Sequence, residues 1–150
     1  MILTKTSVFE APAEKVFYHL QQLKTLQHIA YPYATFTPVG KALEKWEPGS
    51  VSSYKFRLFG IIPLGIHTIR VERFSIGNGI YTHEGNSLVP VWNHEIILEP
   101  ITGSQCRYTD RVTILAGWKT PFIYLWAKCF YAHRQRKWKT IINNLTSQTL

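Results

Sequence analysis

The chain has 150 residues and a formal net charge of +8, with 45% hydrophobic and 17% charged residues, a size for one domain and a composition that excludes disorder. Two cysteines, Cys106 and Cys129, exclude a disulfide scaffold and a cysteine metal knuckle. No apolar run approaches the roughly 18 residues that a membrane span requires.

Met1 to Phe9 carries Lys5 and no long apolar stretch, so it does not read as a signal peptide. The expectation is a single domain over residues 1–150, cytoplasmic, with two reduced thiols. Aromatic residues make up 14% of the chain, with five Trp, eight Tyr and eight Phe. That is more flat bulk than a plain core requires, and it suits the walls of a site for an apolar ligand.

Ile2 to Phe9 reads as a strand that ends at Glu10-Ala11-Pro12. Pro12 suits a helix start, where its missing N–H costs nothing. Val16, Phe17, Leu20, Leu23 and Leu26 then recur every three or four residues, so one helix or two short ones run to about Ile29. Tyr31-Pro32-Tyr33 breaks that pattern. Lys41 to Trp46 is a candidate short strand. Val51 to Phe59, Gly65 to Ser75, Ile80 to Gly85, Val91 to Glu99 and Arg107 to Ala116 read as strands separated by Gly- and Pro-containing turns. Short connections between consecutive strands predict an antiparallel meander.

Pro121 opens a helical pattern that continues to about Ser147. At about 100° per residue, Ile123, Trp126, Ala127, Phe130, Ile141 and Leu145 share a face, together with Arg134. Lys128, Gln135, Arg136 and Lys139 point mostly away. The predicted fold class is α+β: a curved antiparallel sheet of six or seven strands gripping one long C-terminal helix, with short helices after the first strand.

Three segments carry a family resemblance. Phe9-Glu10-Ala11-Pro12-Ala13-Glu14-Lys15-Val16-Phe17 resembles the strand-to-helix entry of the START-like, or SRPBCC, superfamily. Tyr108-Thr109-Asp110-Arg111-Val112 is similar to its late strand. Phe130-Tyr131-Ala132-His133-Arg134-Gln135 resembles an aromatic and His-Arg element in the last helix of one bacterial branch. The resemblance spans essentially the whole chain. It implies a helix-grip fold with a cavity between sheet and last helix, and it implies no particular reaction, because that fold hosts binders, cyclases and oxygenase subunits.

Alternation along Val91 to Glu99 puts Trp92, His94, Ile96 and Leu98 on the inward face. On the next strand Cys106, Tyr108, Asp110, Val112 and Ile114 share a face. A hairpin turning around Ile101 and Thr102 sets Leu98 opposite Cys106, Ile96 opposite Tyr108, His94 opposite Asp110 and Trp92 opposite Val112. Outside, Asn93 then faces Arg111, and Ile97 faces Arg107.

Three readings of His94 and Asp110 follow: a buried pair that specifies the fold, a polar anchor for a ligand, and a general base held in one tautomer. Arg134 needs a partner if buried, and Asp110, Glu84 and a ligand carboxylate are the candidates; otherwise it snorkels to the rim. His67, His83 and His133 are scattered without metal-ligand spacing, so no metal is expected. His133-Arg134-Gln135-Arg136-Lys137-Trp138-Lys139 reads as a solvated helix face, a headgroup contact or a nucleic-acid contact.

The leading expectation is a binding or carrier protein for a hydrophobic small molecule such as a lipid, isoprenoid or aromatic polyketide. Its ligand-binding set is Trp92, His94, Ile96, Tyr108, Asp110, Trp126, Phe130 and Arg134. No cofactor and no nucleic-acid partner are expected. The first alternative is a cyclase or dehydratase, with His94 and Asp110 as its catalytic candidates and Tyr108 or Arg134 stabilising an enolate. The second is a peripheral membrane adaptor acting through the basic end of the last helix.

Overall fold

The computed structural model describes residues 1–148. Strand β1 (Ile2–Phe9) leads into helices α1 (Ala13–Leu20) and α2 (Leu23–Ala30). Pro12 sits just ahead of α1 at φ −59, and its carbonyl accepts from the Lys15 and Val16 N–H groups. The interruption between the helices serves the neighbouring segment. Gln22 bridges to Lys45, and Trp46 N–H donates to the Gln21 carbonyl at 3.0 Å.

The sheet continues through β2 (Ala34–Pro38), β3 (Val51–Leu58), β4 (Ile62–Ser75), β5 (Gly79–Gly85), β6 (Val91–Thr102) and β7 (Gln105–Leu115). All seven strands are antiparallel to their neighbours, in the order β1-β7-β6-β5-β4-β3-β2. Helix α3 (Thr120–Ser147) follows a 3₁₀ turn and packs against β1, β7 and α2. The fold is the α+β helix grip that the periodicities predict.

Two expectations about strands are corrected. The extra strand is Ala34–Pro38, not Lys41 to Trp46. This strand lies at the sheet edge, where Pro38 costs no ladder bond. The β6–β7 register is also displaced by two residues. Leu98 pairs with Tyr108, Ile96 with Asp110, His94 with Val112 and Trp92 with Ile114, while Asn93 meets Thr113 and Glu95 meets Arg111. The cause is the turn. Thr102 pairs with Gln105, so the reversal falls at Gly103-Ser104, and a bulge absorbs Ile101 between Pro100 and Thr102. A shift of two preserves faces, so the inward set is unchanged.

Helix α3 buries Ala127, Phe130, Tyr131, Arg134, Gln135, Trp138 and Ile142, a wider arc than the apolar stripe alone. Gln135 is buried, contrary to its expected outward position. Its amide nitrogen donates to the Lys5 carbonyl at 2.8 Å and to Asp110 Oδ2 at 3.0 Å, and its oxygen accepts from Ser7 Oγ at 2.6 Å. A polar residue assigned outward by type is held inward by a complete set of partners. Trp138 is also fully buried, packed against the rings of both Phe9 and Tyr108. It therefore cannot serve a headgroup contact in the basic segment.

Two apolar clusters fill the grip. One joins Phe9, Val16, Leu20, Ile29, Tyr108 and Trp138. The other is rich in rings, among them Phe36, Trp46, Phe56, Trp92, Phe130 and Tyr131. Gly79 closes the β4–β5 turn against β6. It has φ +78, and a Cβ there would lie 2.7 Å from the Ile96 carbonyl oxygen. Gly79→Ala should cost more than about 1 kcal/mol, because the backbone is left-handed and the obstacle is a strand. Thermal unfolding should register it as a midpoint at least about 2 °C lower; an unchanged midpoint would contradict the described turn.

Candidate functional site

The ring-rich cluster does not close. With residues of the other cluster it lines a pocket of about 320 Å³ between the sheet and α3. The walls come from every layer: Leu20 and Ile29 from α1 and α2, Phe36 from β2, Phe56 from β3, Ile69 and Val71 from β4, Ile96 from β6, and Trp126, Phe130 and Tyr131 from α3. Trp126 stacks on Phe130 at 4.9 Å between centroids and meets Trp92 edge-on at 6.1 Å. Phe122 lines the pocket yet is 67% exposed, which marks where it meets solvent.

A polar strip crosses this apolar lining. His67 on β4, Thr82 and Glu84 on β5, His94 on β6 and Arg134 on α3 all reach the pocket. Strand alternation explains the alignment. Ile69 pairs with Glu84, and Thr82 with His94, so inward positions of three adjacent strands fall in a row. His67 Nε2 lies 2.9 Å from Glu84 Oε2, and Thr82 Oγ1 donates to Glu84 Oε1 at 2.5 Å. An ionised carboxylate only accepts, so His67 Nε2 carries hydrogen and its Nδ1 accepts from Asn86 Nδ2 at 3.5 Å. Burial works to raise the Glu84 pKa, but the His67 bond, the two imidazoles and Thr82 outweigh it and hold Glu84 below the usual carboxylate range.

His94 stands between two carboxylates. Its Nε2 donates to Asp110 Oδ1 at 2.8 Å, while its Nδ1 is 3.9 Å from Glu84 Oε1, beyond hydrogen-bond reach. Asp110 also accepts from the Tyr108 hydroxyl at 3.1 Å and from Gln135. Arg134 Nε approaches the same carboxylate at 3.9 Å. Burial pushes the Asp110 pKa up, but Arg134, His94 and Gln135 together pull it below normal. Burial likewise opposes the charge on Arg134, and the facing oxygens of Tyr108, Asp110 and Tyr131 reverse that effect and keep it cationic. Tyr108 and Tyr131 are pushed well above the usual phenol value, first of all by burial, so they stay neutral.

Six of the eight expected ligand-binding residues line the pocket: Trp92, His94, Ile96, Trp126, Phe130 and Arg134. Tyr108 and Asp110 do not. They lie one step behind, with the Tyr108 ring packed on Phe9 at 5.0 Å and Asp110 holding His94. Residues the sequence reading did not place at the site are Phe36, Phe56, His67 and Tyr131, and Glu84, expected as a candidate partner for Arg134, is held instead by His67 and Thr82. Their signal was present, since Glu84 shares an inward face with Ile80 and Thr82, but it required the β4–β5 register and its bulge at Glu72. His83 turns outward to Glu72 and Asn93, and His133 Nε2 donates to the Tyr31 carbonyl at 2.7 Å. Among the described residues, no group of His, Cys, Asp and Glu is arranged to hold a metal ion, and no helix is long and apolar enough to cross a membrane.

Two buried donors at the pocket have no hydrogen-bond partner within the protein: Arg134 Nε and Trp126 Nε1. Leaving such groups unpaired is costly, and Arg134 Nε has only the Asp110 carboxylate nearby, at 3.9 Å.

The same architecture recurs in solved structures. A START superfamily protein from Mycobacterium smegmatis superposes with a TM-score of 0.75 at 12% identity, covering 96% of this chain and 98% of that one. A protein from Chromobacterium violaceum gives 0.74 at 12% identity, covering 94% and 96%. Norcoclaurine synthase from Thalictrum flavum, in complex with dopamine and hydroxybenzaldehyde, gives 0.69 at 8% identity, covering 96% and 87%. At such identities the likeness is one of fold. No curated protein sequence matches significantly. The fold is thus START-like, and a family model described as "Domain of unknown function (DUF8410)" matches residues 7–141, so the chain belongs to that family.

Proposed function

We propose that this protein binds an apolar small molecule, bearing one acceptor group, in the pocket between its sheet and α3. The observation that carries this reading is the pairing of an aromatic and aliphatic enclosure of about 320 Å³ with two unsatisfied buried donors, Arg134 Nε and Trp126 Nε1. Sites for small molecules combine such walls with a few fixed polar groups. A protein of the same fold, norcoclaurine synthase, has been captured with two aromatic molecules, which accords with this reading. Trp92, Phe130 and Ile96 supply apolar contact. Arg134 meets a carboxylate, sulfonate or carbonyl oxygen, and Asp110 acts from behind by fixing His94.

Filling the pocket tests this directly. Leu64 lines it from β4 and is only half-buried, so Leu64→Trp places an indole in the void with little strain. Uptake of the fluorescent probe 1-anilinonaphthalene-8-sulfonate should fall at least about tenfold, roughly 1.4 kcal/mol, with the unfolding midpoint retained or raised. Equal uptake by both proteins would place the probe elsewhere and overturn the reading.

One observation favours a second reading, acid–base catalysis. His94 Nε2 is tied to Asp110, which leaves Nδ1 as an accepting nitrogen at the pocket. Tyr108 drops out of such a mechanism because its hydroxyl is engaged with Asp110 and does not reach the pocket. His94→Gln would then abolish turnover of a bound substrate by at least about 100-fold while leaving its affinity intact; loss of affinity alone would return His94 to a binding role.

A further inference from the structure

We propose that the end of the molecule where the pocket meets solvent docks on a lipid bilayer, which supplies and receives the pocket's ligand; this rests on the binding reading above. Antiparallel order brings four connections to that one end: the link from α2 to β2, the β3–β4 turn, the β5–β6 loop and the approach from β7 to α3. Three of them carry the exposed apolar side chains Tyr31, Phe59, Ile61 and Trp118, and Phe122 and Leu125 at the start of α3 are exposed beside them, with Trp118 at 80% and Ile61 at 76%. Trp118 is the only exposed tryptophan among the described residues. The Tyr33 ring touches both Phe59 and Trp126, which ties the β3–β4 turn to the start of α3 beside the Phe122 mouth.

The β3–β4 turn is itself informative. Phe59 has φ 52 and is followed by Gly60 at φ 72. A left-handed residue at a hairpin tip is ordinarily Asn, Asp or Gly. Here the position holds a phenylalanine that stays half exposed despite its contact with Tyr33, at a conformational cost. Charge points the same way. Residues 30–36, 56–66, 85–92 and 113–126 contain no Asp or Glu, and their only formal charges are Arg57 and Lys119, in a chain of net charge +8. Aromatic and aliphatic tips flanked by cations and free of carboxylates suit insertion into an anionic lipid interface. The basic stretch 133–139 lies further along α3 with Trp138 and Arg134 buried, so it offers no comparable surface.

The test is co-sedimentation with sucrose-loaded vesicles of equimolar phosphatidylcholine and phosphatidylglycerol. The comparison is wild type against Trp118→Ser/Ile61→Ser/Leu125→Ser, three exposed positions outside the pocket lining. Wild type should sediment with the vesicles, and the triple variant should partition on the order of 100-fold less while keeping uptake of the naphthalene sulfonate probe. Wild type left in the supernatant, or a variant that sediments equally, overturns the docking. A wild-type dimer in sedimentation velocity that the variant loses also overturns it, because a second copy then covers this end. Vesicle binding that depends on the three side chains, without probe uptake by wild type, supports the docking and overturns the pocket reading instead.

Discussion

Asp110→Ala should destabilise the protein by about 3–5 kcal/mol, a loss large enough to leave a 150-residue domain close to its unfolding threshold. The carboxylate is 1% exposed and collects hydrogen bonds from His94 on β6, Tyr108 on β7 and Gln135 on α3, with Arg134 at 3.9 Å. Removing it strands three donors and leaves the Arg134 charge without its nearby carboxylate. The partner variant behaves differently. Arg134→Met takes away one cation, but Asp110 keeps its three hydrogen bonds, so the cost should be clearly smaller. The double variant should be less destabilised than the sum of the two singles, since the stranded charge is gone. Urea unfolding of the four proteins measures this cycle, and strict additivity would show that the two groups do not couple.

The same carboxylate sets an acid limit. Asp110 and Glu84 both have lowered pKa values in the folded state, so each favours folding when ionised. Their contribution is complete above the unfolded carboxylate pKa near about 4 and is lost as pH falls below that toward the folded values. Stability should therefore decline below about pH 4, and Asp110→Asn should flatten that decline. An equal slope in wild type and variant would mean that Asp110 is not ionised in the native state.

The second large effect concerns recognition. Arg134→Met should weaken binding of the anionic naphthalene sulfonate probe by about 10–100-fold, while the uncharged N-phenyl-1-naphthylamine changes by less than about threefold. The figure follows from the roughly 1.5–3 kcal/mol carried by a hydrogen bond to a charged group, and only the anionic probe has an oxygen to offer it. The two probes separate the roles of wall and anchor, because methionine preserves much of the apolar surface. Equal weakening of both would make Arg134 a structural member of the Asp110 cluster with no part in recognition.

Much of this was legible before the fold was known. Period-two patterning placed Trp92, His94, Ile96 and Asp110 inward, and a two-residue error in register left that result intact because faces repeat every second residue. The long helix announced itself through Pro121 and its apolar spacing. Its buried arc was wider than hydrophobicity indicated, because Gln135 is held by Ser7, the Lys5 carbonyl and Asp110, partners distant in sequence. The edge strand Ala34–Pro38 escaped notice because it is short and ends in proline. Glu84 and His67 were missed as a pair because the bulge in β4–β5 decides which inward residues fall side by side, and a bulge leaves little trace in sequence. The split between Trp92 and Tyr108, one at the pocket and one in the solid core, depends on where α3 rests its large side chains, which pattern along a single strand does not encode.

Native mass spectrometry of the purified protein, followed by denaturing extraction, tests the binding proposal most directly. A stoichiometric apolar adduct carrying an acidic or carbonyl group, absent from Leu64→Trp, is the predicted result. A clean apo mass for wild type, together with no uptake of either naphthalene probe, would contradict it.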